Sequence, residues 1–289
     1  MKFNRWKPTR RTSIAYNVFK IHHTEINHLY WANHAAYKGA YSLTRGKSPS
    51  DDADSVFPDP KKERRRTITL AKWSEDYNAF DNWTRLAAVI AITGYFEVFI
   101  KSIVEAACQS CPAILVGGHR EIEGVKLLKA RAKYNFLSQS EACSQGTWQT
   151  RLNAYKRIFG SCPKPVEDVV SDLDKLRNLR NSVGHAFGRT LEPAKVGRQI
   201  APEDAKQVKQ KALLEYLALV DEVAWEIERH LTPNFIGCYE TIAAYHYWDG
   251  KRGDRKQIAK KFSSFFRPIV KTTASSAYFL DVINYYQSL

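Results

Sequence analysis

Several common catalytic frameworks are missing from this chain. There is no Walker glycine loop, no GxSxG elbow and no GxGxxG run, which argues against nucleotide hydrolysis and serine esterase chemistry. HExxH is absent, and His22, His23, His28 and His34 match no metalloenzyme spacing. Cysteine is sparse, with five residues and therefore an odd count. No short apolar stretch follows the basic N-terminus, so a cytoplasmic protein in a reducing compartment is expected. Cys108 and Cys111 form a lone CxxC. Zinc there would need two further ligands, from Cys143, Cys162 or His119, and buried structural thiols are the simpler reading. No metal or cofactor is expected. The longest uncharged apolar run, Leu86 to Phe96, is too short to span a bilayer, so no membrane partner is expected. Strand-like alternation is scarce, and neither internal repeats nor low-complexity tracts occur.

What is present suits a large folded core. The chain has 289 residues, of which 44% are hydrophobic and 12% aromatic, enough apolar surface to offset chain entropy. The formal charge of +14 points to an acidic partner, nucleic acid before an anionic membrane surface. That charge is concentrated at the two ends. Residues 1–50 hold nine basic side chains against Glu25 alone, and residues 249–271 hold eight against Asp249 and Asp254. Aromatic residues are interleaved there (Phe3, Trp6, Phe262, Phe265, Phe266), as in surfaces that stack single-stranded bases. Arg252, Arg255, Lys256 and Lys260 are candidate RNA contacts at the C-terminal end.

Apolar residues recur at intervals of three and four, which predicts an all-α protein. Expected helices run from about Thr12 to Tyr41, Ser74 to Ala107, Glu121 to Ser138, Thr147 to Phe159 and Val166 to Phe187. Further helices are expected from Pro202 to Leu231, Cys238 to Trp248, Arg255 to Phe266 and Ser275 to Gln287. Gly188, Pro233 and Pro268 serve as stops. The segment SPSDDADSVFPDPKKERRR reads as an exposed linker. Three regions follow: 1–66, a basic helix with its linker; 67–232, the main helical domain; and 233–289, a basic helical extension packed on it.

The helix after Pro165 carries the chemistry. Val169, Leu173, Leu176, Leu179, Val183 and Phe187 fall within about a third of its circumference and form a core side. Arg177, Arg180, Asn181, Gly184 and His185 fall on the adjoining side. Glycine within a helix costs about 1 kcal/mol relative to alanine, so Gly184 points to close approach by another chain or a ligand. Imidazole titrates near neutral pH and can exchange a proton with a ribose 2′-hydroxyl or a leaving 5′-oxygen. Guanidinium holds a fixed charge and a planar fork suited to the scissile phosphate. The plain alternative is a solvated helix face.

The string LRNLRNSVGH resembles the motif of HEPN ribonucleases, in which an arginine, a polar residue, three intervening residues and a histidine recur in that order. The resemblance implies an all-α, HEPN-like helical bundle with additional N- and C-terminal helices. It also implies a composite cleft between two motif helices of a homodimer, and RNA cleavage without metal. Arg180 and His185 become the catalytic pair and Asn181 the polar residue after the arginine. Arg177 is expected to position RNA or to close the dimer. Glu97 resembles the glutamate often found in the first major HEPN helix, on a polar stripe with Thr93, Gly94, Lys101 and Glu105. Two readings of it stand: orienting Arg180 or His185, or an ordinary pair with Lys101 at helical spacing. Lys101 is a further candidate RNA contact. A toxin or phage-defence effector is the biological setting implied, with an antitoxin or defence-system partner possible. The alternatives are a catalytically silent HEPN-like module that binds nucleic acid or nucleotide, and a DNA-binding regulator.

Overall fold

The computed structural model describes residues 3–7, 12–58, 68–186, 205–270 and 274–289, with backbone alone at 185, 186, 269 and 270. Eleven α-helices and no strand occur among the described residues, so the fold is all-α. The helices are α1 (Ile14–Leu43), α2 (Leu70–Ser110), α3 (Gly124–Lys129), α4 (Leu137–Ser144), α5 (Trp148–Phe159), α6 (Lys164–Asp168), α7 (Val170–Ala186), α8 (Gln210–Leu231), α9 (Tyr239–Tyr247), α10 (Arg255–Val270) and α11 (Ser276–Ser288).

Local chemistry explains most boundaries. The Thr147 hydroxyl accepts the Thr150 amide at the start of α5, and Gly160 ends that helix at φ +81°. Ser275 caps α11 through the Tyr278 amide. At the start of α1, the buried Glu228 carboxylate receives the Ser13 amide at 2.7 Å, so a tertiary contact satisfies a helix-end donor.

Four expectations change. The segment expected as one helix from Glu121 to Ser138 contains α3, then Arg131 at φ +53°, and only then the start of α4. The helix expected from Val166 breaks at Val169, whose ψ of 13° separates α6 from α7. Residues 205–209 are not helical, because Asn82 holds them: its Nδ2 donates to the Lys206 carbonyl at 3.0 Å and its Oδ1 accepts the Val208 amide at 2.9 Å. Pro268 does not stop α10 but lies within its last turns. The expected Gly188, Phe187 and Pro202 boundaries lie outside the described residues. The described part of the linker holds a 3-10 turn at Ala53–Ser55, and the Ala53 amide is bonded to the Ile68 carbonyl at 2.9 Å. Its Arg64 to Arg66 run also lies outside the described residues.

The chain forms two compact units that do not follow sequence order, and α1, α2, α7 and α8 each contribute residues to both. The first unit comprises residues 1–22, 94–175 and 219–289. Its core is aromatic, with Phe19, Phe96, Phe99, Phe262 and Phe279 each 2% exposed or less. Each fully buried phenyl group contributes about 1.5–3 kcal/mol. Arg5, 1% exposed, threads this unit: its guanidinium meets Glu123 at 2.7 Å, the Ser110 hydroxyl at 2.7 Å and the Ser110 carbonyl at 2.8 Å. The Arg5 carbonyl receives the Cys238 amide, and Gly237, at φ +57°, must be glycine because a Cβ there would collide with that carbonyl.

The second unit comprises residues 23–93 and 176–218. Rings from its parts of α1 and α2 pack in rows, with Tyr37 on Tyr77 at 5.2 Å and Trp73 on Tyr77 at 5.0 Å. Leu86, Val89 and Ile92 are fully buried. As a helix, α2 extends well past the apolar run seen in sequence and includes an 18-residue stretch apolar enough to cross a membrane by length and composition. Of that stretch 44% is buried within the protein, and a core helix passes the same test.

Candidate functional site

The motif lies on α7, and its helical backbone fixes the spacing of the reacting groups. Leu173, Leu176, Leu179 and Val183 are all buried, so the apolar side faces inward as their periodicity requires. Arg180 falls at the border of that side and is half-buried, with its Nη1 donating to Asn181 Oδ1 at 3.1 Å. Arg177 and Asn181 are half-buried too, and Gly184 is exposed. His185 belongs to α7, five residues and about 7.5 Å along the axis from Arg180. Its side chain lies outside the described residues. A Cβ at Gly184 would meet nothing within 4 Å, so no neighbour among the described residues demands glycine there.

Glu97 has another partner. Arg151 on α5, 5% exposed, donates from Nη2 to Glu97 Oε1 at 3.0 Å and from Nε to the Gly146 carbonyl at 3.2 Å. Its guanidinium lies 4.9 Å from the Trp148 ring centroid, and Trp148 packs on Phe96 at 5.6 Å. Lys101 reaches Glu141 of α4 at 3.4 Å. The polar stripe of α2 therefore joins α2 to α4 and α5 within the first unit, whereas Arg180 and His185 belong to the second. Sequence spacing draws attention to the Lys101 pairing of Glu97 and misses Arg151. The one available signal is a basic residue on the otherwise apolar side of α5, beside Trp148, Leu152 and Tyr155.

The terminal charge also divides. Arg5 and Lys20 do not add to a free basic field, because Arg5 is buried against Glu123 and Lys20 is paired with Asp221 at 2.6 Å. The C-terminal set stays outward. Arg252, Arg255, Lys256 and Lys260 are all exposed, and among the described residues none has a carboxylate partner. Arg255 Nη1 donates to Asn284 Oδ1 at 3.4 Å. The buried face of α10, with Ile258, Ala259, Phe262 and Phe266, fixes this basic face toward solvent.

All five cysteines are free thiols, and Cys108 and Cys111 are buried. Burial pushes the Cys108 thiol up to about 12, and the Cys111 sulfur accepts the Arg120 amide at 3.2 Å. Both are packing groups in this structure. No cluster of three or more metal-ligating side chains occurs among the described residues. His22 stacks on Tyr95 at 4.3 Å, and His23 Nε2 bonds the Leu217 carbonyl. Compared with models of known families, with curated proteins and with solved structures, the chain matches none.

Proposed function

We propose that this chain is a metal-independent endoribonuclease of the HEPN type, with Arg180 and His185 as the catalytic pair and Asn181 holding the arginine. The observation that carries the reading is the string LRNLRNSVGH on a single helix whose apolar side is buried and whose Arg180 bonds Asn181. In the proposed reaction His185 removes the proton from a ribose 2′-hydroxyl, and that oxygen attacks the adjacent phosphorus. Arg180 stabilises the charge developing on the phosphoryl oxygens. The bond to the 5′-oxygen breaks as that oxygen takes a proton, leaving a 2′,3′-cyclic phosphate and a 5′-hydroxyl. One motif supplies one imidazole, so the motif of a second copy provides the acid while the first acts as base, and the working form is a two-fold dimer. Glu97, engaged by Arg151, acts as a structural residue in this account.

The basic face of α10 supplies the sequence-independent hold on the RNA backbone. A nuclease of this kind harms its host, so the setting proposed is a toxin or antiviral defence system with a controlling partner. The silent binding module is the second reading, favoured by the same α10 face, which would hold nucleic acid without any help from α7. Incubating the purified protein with single-stranded RNA in EDTA separates them. Cleavage that disappears in His185→Ala supports the nuclease, and RNA bound but intact supports the module.

A further inference from the structure

Beside the C-terminal ends of α5 and α8, within the first unit, lies a cleft of about 500 Å³. This is within the usual size range of small-molecule sites. Phe159 and Phe235 form its apolar floor, their rings 5.1 Å apart. His119, Arg157, Ser161 and His230 bring polar groups to its lining, and among the described residues no acidic side chain lines it. Two imidazoles meet the same phenyl ring, His119 at 5.2 Å and His230 at 5.8 Å from the Phe235 centroid. Arg157 is exposed and has no carboxylate partner among the described residues.

The local backbone is unusual on both sides. Thr232–Ile236 is a π-helical turn, a rare form that is frequent at functional sites. Facing it, Arg120 holds φ at +63°, which costs energy in a residue with a side chain. Its guanidinium secures the loop by donating to the Asn234 carbonyl at 2.9 Å. His119 Nε2 donates to the same carbonyl at 3.0 Å.

The proton on His230 is fixed by burial behind it. The Tyr155 hydroxyl sits 2.7 Å from His230 Nδ1, and no other partner of that hydroxyl occurs among the described residues. A buried phenol whose pKa is raised by burial keeps its proton and must donate it. Nδ1 is therefore the acceptor, and the proton of the neutral ring is on Nε2. We propose that this cleft is a second ligand site, one that takes a small organic phosphomonoester through Arg157, His230 Nε2–H and the Ser161 hydroxyl. A guanidinium fork and neutral donors match a tetrahedral dianion. The carbonyl ends of α5 and α8 both oppose an anion, so the guanidinium of Arg157 carries the binding and the affinity is moderate. Tyr155 is a positioning residue here.

Calorimetry on the full chain with adenosine 5′-monophosphate, inorganic phosphate and adenosine tests this. Saturable binding of the monophosphate, absence of binding by adenosine, and a loss of about tenfold or more in Arg157→Ala are expected. Arg157→Lys should recover part of that loss. Nitrogen chemical shifts of His230 should report a single Nε2–H tautomer in the wild type and a mixture in Tyr155→Phe. Arg180→Ala should keep full affinity for the monophosphate, so this result stands apart from the nuclease reading. No saturation up to about 10 mM, or equal binding by wild type and a folded Arg157→Ala, overturns the proposal.

Discussion

At Arg151 a buried guanidinium satisfies Glu97, the Gly146 carbonyl and the face of Trp148 together. The Glu97 side chain is 28% exposed, so water can take the place of the lost guanidinium, and Arg151→Ala should lower stability by about 1–3 kcal/mol in urea unfolding. Glu97→Gln keeps a hydrogen-bond acceptor and should lower it by about 1–2 kcal/mol. Cleavage per folded molecule should stay unchanged in Glu97→Gln. A large loss of cleavage at unchanged stability would return Glu97 to the catalytic set. Arg5 is the parallel case near the N-terminus: Arg5→Ala strands Glu123 beside the Tyr285 hydroxyl, which donates to it at 2.7 Å, and should cost about 3–5 kcal/mol. If Arg5 served chiefly to bind nucleic acid, its loss would weaken RNA binding and leave the melting temperature alone.

Among the elements, α10 carries the clearest consequence. Lys256→Glu and Lys260→Glu alter only its exposed face, so unfolding should shift by no more than about 0.5 kcal/mol. RNA affinity should fall, and the slope of log affinity against log salt should flatten by about 0.7 for each phosphate no longer neutralised. An unchanged slope would remove α10 from the RNA surface. Helices whose packing follows their own periodicity are legible in sequence: α5 is expected within one residue of its observed start, and α9 and α11 within one residue at both ends. The late start of α8 is not legible, because Asn82, far away in sequence, takes the backbone groups that a helix would use. The break at Val169 is hidden as well, since a valine with ψ near 13° leaves the apolar spacing intact. Of the candidate site, the α7 face can be read from spacing, and the half-burial of Arg180 follows from its place at the edge of the apolar side. The Glu97 pairing cannot, because i to i+4 spacing reveals only partners on the same helix.

Across the whole molecule, buried ionisable groups set a pH window for the fold. Burial raises the Cys108 and Cys143 thiols from 9.0 to about 12. Between those values the unfolded chain has given up protons that the folded chain keeps, so stability falls as pH climbs from 9 toward 12. Burial lowers His230 below 6.5, so its contribution is held above that pH and lost beneath it, where only the unfolded chain takes up the proton. The melting temperature should therefore be highest between these limits and decline on both sides. A decline on the alkaline side that is identical in Cys143→Ala would assign it to other groups. The net charge of +14 keeps an acidic partner in view, and a dimer is required if α7 from two copies forms the cleft. The most direct test is to compare wild type, Arg180→Ala and His185→Ala on one defined single-stranded RNA in EDTA, measuring both rate and end chemistry. The account predicts cleavage by the wild type to 2′,3′-cyclic phosphate and 5′-hydroxyl ends, and a loss of about 10²-fold or more in each variant. Intact RNA with the wild type, or equal cleavage by His185→Ala, would contradict it.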